Sequence, residues 1–303
     1  MWWLFRAEWK KMTGNRWLSG CLIWSWSIAA LVISLALVIL VAISSGARDR
    51  FADNPYQWTD AAVFFWAIPN SIIGRLLIIG FTASLFGGEY QWGTWKNLLL
   101  RQSRITLILV KFYTLAIFVL IAFGLTSLIW VIGMGLVQLV AGGSYPPSLG
   151  EIPSTFWREV VLQILAAFLS VLILAGVAAL AALLTRSALG SVIVGVGFAI
   201  IDGFVAAGLM VFYLFTDWRF FPSLYRFTIS YNVDNLLNWA TSGRASPVLG
   251  NVRVQDNPVF GELVIDPPLA GNPLGISLLI LCLWMAVLVG LAVVSFYRQD
   301  LST

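Results

Sequence analysis

The chain has 303 residues, 60% of them hydrophobic and only 11% charged, with a formal net charge of +4 and a mean hydropathy of +0.90. A soluble chain of this length would expose more apolar surface than water tolerates, so the composition excludes a soluble fold and predicts an all-α polytopic membrane protein. The positive balance suits anionic lipid headgroups and not a nucleic-acid surface, and the absence of histidine removes hydrolytic triads and zinc-protease motifs.

The first sixteen residues lack the continuous apolar core and small-residue cleavage site of a secretory signal. Their spacing predicts an amphipathic interfacial helix within 1–19, with Trp2, Phe5 and Trp9 on one side and Arg6 and Lys10 on another. Six apolar runs follow, roughly 20–44, 62–86, 107–140, 160–185, 189–216 and 274–297. Each meets the requirement of about 20 residues for a membrane-spanning helix. The third exceeds one bilayer thickness, so Lys111 is expected to snorkel at its inner end while its far end projects beyond the opposite face. Cys21 and Cys282 fall inside apolar runs near opposite membrane faces, where they read as small buried hydrophobes and not as a disulfide.

Orientation follows from basic residues in short connections. Arg6, Lys10, Lys11 and Arg16 crowd the amino terminus, Lys96, Arg101, Arg104 and Lys111 crowd the second connection, and Arg186 and Arg298 share that side. This side is expected to be cytoplasmic, with both termini on it. The outer connection over 217–273 opens with an aromatic cluster from Trp218 to Phe221 and continues into helical apolar spacing over 233–239. It is expected to carry short interfacial helices within a turn-rich outer cap. No repeat divides the chain, which reads as one domain over 1–303.

Two charges lie deepest in hydrocarbon: Arg75 in the second run and Asp202 in the fifth. An unpaired charge at the bilayer centre costs about 2.5–3.5 kcal/mol on insertion scales, so both must face protein or water. They mark either a polar point on a substrate path or a structural pair. Pro69-Asn70 interrupts the second run, where proline frees a carbonyl that can bend the helix or line a cavity. No ATP site is expected in this chain. A phosphate-binding loop needs Gly directly before its Lys, and Lys10, Lys11, Lys96 and Lys111 follow Trp9, Lys10, Trp95 and Val110.

The second connection holds the most specific pattern: Glu89, then Gly93-Thr94, then Lys96-Asn97-Leu98-Leu99, then Ser103-Arg104, with Lys111 entering the next span. This resembles the inner-loop pattern of ABC transporter permeases of the type-2 exporter family, and the six-span layout, amphipathic first helix and large last outer loop extend the likeness over nearly the whole chain. One departure is Gln102, where such loops commonly carry proline before the Ser-Arg pair. The resemblance implies that 87–106 is a cytoplasmic coupling loop docking on a separate ATPase subunit. Glu89, Gly93 and Thr94 would lie at the contact, with Lys96, Arg101 and Arg104 in the same segment. It further implies a cell-membrane permease subunit, without catalysis or cofactor of its own, that pairs with a second permease copy in the lipid and exports a substrate using ATP bound by its partner. A noncatalytic scaffold subunit of a larger membrane assembly and an ion-coupled carrier built on Arg75 and Asp202 are the alternative readings. The substrate is not legible in the sequence.

Overall fold

A computed structural model describes residues 2–14, 20, 24–54, 56–93, 95, 102–143, 152, 154–249 and 269–299. The described residues are helical apart from short connections and one isolated bridge between Val248 and Leu269. In chain order the helices are α1 (Trp2–Gly14), α2 (Ser25–Ile43), α3 (Ser45–Asp53), α4 (Trp58–Phe64), a 3-10 segment (Phe65–Asn70), α5 (Ile72–Gln91), α6 (Arg104–Val140), α7 (Phe156–Thr185), α8 (Ala188–Thr216), α9 (Phe220–Leu224), a second 3-10 turn (Tyr225–Phe227), α10 (Ile229–Ser242) and α11 (Leu274–Arg298). Six of them, α2, α5, α6, α7, α8 and α11, are long and apolar enough to cross a membrane.

The second run does not form one continuous helix. Pro69 cannot donate a backbone hydrogen bond, and the chain passes through the 3-10 segment before Ser71 caps α5, its hydroxyl accepting from the Gly74 amide at 3.1 Å. Gly74 is required there, because a Cβ would stand 2.2 Å from the Ile68 carbonyl oxygen. The span is thereby displaced toward its carboxyl-terminal end, and α5 continues through Gln91, into the segment expected to be loop.

The core is organised around α7. Its alanines, among them Ala166, Ala175, Ala178 and Ala182, are buried and let α5, α8, α10 and α11 approach closely. At the other extreme α8 buries only Ser191, Gly195 and Met210. Cys282, expected to be buried, is exposed on α11 and turned away from the core; Cys21 lies outside the described residues.

The segment after α8 departs most from expectation. Its amphipathic helix exists as α10, but the apolar stripe Ile229, Val233 and Leu236 is buried against Leu169, Ile173 and Val177 of α7 and Leu281 and Leu288 of α11. The first turn of α10 meets Asp202, at the midpoint of α8, and its last turn meets Arg158 at the amino-terminal end of α7, whose Nε donates to the Ala240 carbonyl at 3.2 Å. The chain thus returns to mid-span depth and climbs back, where an interfacial helix was expected. Its polar side is satisfied internally: Asn235 Nδ2 donates to Ser277 Oγ and to the Asn272 carbonyl, both at 2.8 Å, and Tyr231 Oη donates to the Ser246 carbonyl at 2.8 Å.

Candidate functional site

Two charged centres stand out. The first joins α1, α5 and α6. Leu4, Glu8 and Met12 form the buried stripe of α1, which places a carboxylate among apolar contacts. Phe5 and Trp9 flank that stripe and pack on Tyr113 and Phe118 of α6, with ring centroids 5.4 and 4.5 Å apart. Two of the three residues of the expected interfacial face are therefore docked on protein, and Trp2 remains exposed.

Lys111 is fully buried and does not snorkel. Its ammonium donates to Glu89 Oε1 at 2.7 Å, to Glu8 Oε2 at 3.1 Å and to the Leu85 carbonyl at 3.4 Å, so its three protons each have a partner. It also sits 5.4 Å from the Trp95 ring centroid and 6.0 Å from that of Phe86. Lys11, more than a third exposed, closes the cluster by donating to the same Glu89 oxygen. Two cations and two carboxylates cancel, and this lets Lys111, Glu8 and Glu89 stay charged out of water.

The same end is fastened to the carboxyl-terminal helix. Arg104 Nη1 donates to the carbonyls of Phe296, Tyr297 and Gln299 at 3.1, 2.7 and 2.6 Å, placing a cation where the α11 dipole is negative. Tyr90 Oη donates to Gln299 Oε1 at 2.6 Å, and Gln299 Nε2 donates to the Leu183 carbonyl of α7. Trp95 lies 4.4 Å from the Phe296 ring.

Of the sequence-derived coupling residues, Glu89 and Arg104 are thus turned into the chain. Gly93 follows the end of α5 with a φ of +62°, and its amide donates to the Tyr90 carbonyl at 3.2 Å. Thr94, Lys96 and Arg101 lie outside the described residues. Sequence reasoning missed Glu8, although an acid at the centre of a Leu4–Glu8–Met12 stripe is a readable signal of a buried partner.

The second centre brings Arg75 and Asp202 together. Arg75 Nη1 lies 3.3 Å from Asp202 Oδ2, which also accepts from Ser230 Oγ at 2.6 Å, and Asp202 Oδ1 accepts from the Ser230 amide at 3.3 Å. The carboxylate therefore caps the amino terminus of α10, where the helix dipole favours negative charge. Asp234, four residues on, reaches the surface.

A comparison with curated proteins returned no match. The family described as ABC-2 family transporter protein matches residues 4–218, from α1 through α8, a stretch that includes the whole inner cluster and the Arg75–Asp202 pair but stops before α10 and α11. With most of its length matched and six apolar helices in place, the chain belongs to the ABC-2 family of transporter membrane proteins and is a multi-pass permease subunit of an ABC transporter.

Proposed function

We propose that this permease exports its substrate outward, driven by ATP hydrolysed on a separate cytoplasmic subunit that docks at the 87–106 segment. The observation that carries the reading is the way the segment is built into the membrane domain. At its front, Glu89 is held by Lys11 of α1 and Lys111 of α6; at its rear, Arg104 and Tyr90 are tied to α11 and, through Gln299, to α7. A push on the turn at Gly93 would be delivered to several spans at once instead of dissipating in a loop. Glu89 acts here as a positioning residue, because its carboxylate is turned inward. The basic residues Arg6, Lys10, Lys11, Arg104, Arg186 and Arg298 support a cytoplasmic assignment for this end and for both termini. A second copy covers the face of α8 that exposes Ile201 and Phe215.

The test is ATP hydrolysis and efflux in proteoliposomes containing the permease and the ATPase that copurifies with it. Gly93→Val, strained at its positive φ, and Glu89→Gln should insert normally yet lose transport-coupled hydrolysis. Full coupling in both variants, or no copurifying ATPase, would overturn the reading.

A further inference from the structure

Between α5 and α8, at the depth of Asp202, a cavity of about 430 Å³ opens sideways. Its apolar wall includes Ile72 and Leu76 on α5 and Ile200 and Phe204 on α8; the last two are 55% and 70% exposed. Its polar lining is Asn70, Arg75 and Ser230. Asn70, at the end of the 3-10 break, has both amide atoms buried without a hydrogen-bond partner among the described residues. Such a group costs free energy unless something fills its place.

The hydrogen-bond inventory indicates what that is. Asp202 is already occupied by the Ser230 amide and hydroxyl and by one nitrogen of Arg75. The remaining N–H groups of Arg75 donate to no described residue, and the Asn70 amide adds two more donors against a single acceptor. The surplus at the polar end of the cavity is therefore of donors, one of them a guanidinium suited to bidentate recognition of an anion, at a mid-span depth where water is scarce.

We infer that this cavity binds a single-chain amphiphile with a phosphate or carboxylate head, the head engaged by Arg75 and Asn70 and the tail lying along Leu76, Ile200 and Phe204. As a substrate site the inference rests on the export reading; as a binding site it stands alone. Asp234 is the opposing charge. It lies one helical turn outward on α10 and lines none of the cavity, so it weakens an anionic head without blocking it.

The test is native mass spectrometry of the purified full chain in mild detergent, without ATPase, offered dodecyl phosphate, dodecanoate, dodecylammonium or inorganic phosphate. The wild type should retain one dodecyl phosphate or dodecanoate per chain and neither of the other two probes. Asn70→Leu, which leaves the ion pair intact, and Arg75→Gln should each lower retention by about tenfold, the loss expected for a hydrogen bond to a charged group. Asp234→Asn should raise it. Retention unchanged by Asn70→Leu and Asp234→Asn, preference for dodecylammonium, or equal retention of inorganic phosphate would overturn the inference, and if Arg75→Gln fails to fold the other two variants decide. Retention in a chain that fails the coupled-hydrolysis test would remove the export reading and leave the site.

Discussion

The inner cluster and the mid-span pair both keep charge out of water, by opposite means. Around Lys111 every charge is countered by another side chain, the ammonium has no solvent exposure, and aromatic rings close the remaining sides. Around Asp202 the compensation is shared between one guanidinium and the start of α10, and the guanidinium borders an open cavity with its other donors unused. A saturated centre fixes helices to one another. An unsaturated one can take a ligand. The difference teaches that depth in the membrane does not by itself tell a charge that fastens helices from one with donors to spare.

The largest effect that would break this contrast is Lys111→Met. It strands Glu8 in a dry site and leaves Glu89 with only the partly exposed Lys11, and removing one partner from a buried ion pair costs about 3–5 kcal/mol. The loss should appear in a detergent unfolding series, and Glu8→Gln with Glu89→Gln in the same chain should restore much of it. A Lys111→Met protein as stable as the wild type would show that the cluster is not a fastening.

At mid-span the effect should be smaller. Arg75→Leu and Asp202→Leu are each expected to cost roughly 1–3 kcal/mol, the range for a buried polar group left unsatisfied. The double substitution should cost less than the sum, whereas additivity in the same unfolding series would mean that the contact carries no coupling.

Lys11→Met sharpens the comparison from within the inner cluster. Its side chain is more than a third exposed, so the pair with Glu89 is worth no more than about 1 kcal/mol once solvent screening is counted. A loss approaching that of Lys111→Met would place the weight of the cluster on its outer member.

Much of the membrane framework was readable because a span is a local property: about 20 apolar residues have few other places to go. The runs at 160–185, 189–216 and 274–297 coincide closely with α7, α8 and α11. The break at Pro69 was visible as residues, but its consequence was not. A proline kink and a restart of the helix differ only in whether Ser71 captures the next free amide. The helical spacing over 233–239 was legible too, yet an apolar stripe is equally content against lipid or against Ile173 and Leu281, and only the packing tells them apart.

The sequence by itself determined the solvent, the all-helical class, the six spans, the segment that resembles a coupling loop, and the need for Arg75 and Asp202 to be compensated. These follow from composition and from the cost of exposing a charge to hydrocarbon, and neither depends on which helix neighbours which. Tertiary structure decided that Lys111 turns inward, that Glu89 and Arg104 fasten helices, that Asp202 caps α10, and that Asn70 is left with an unfilled amide. The contacts among these depend on residues 22 to 195 positions apart meeting within a few ångströms, and chain separation carries no record of distance once the helices have packed.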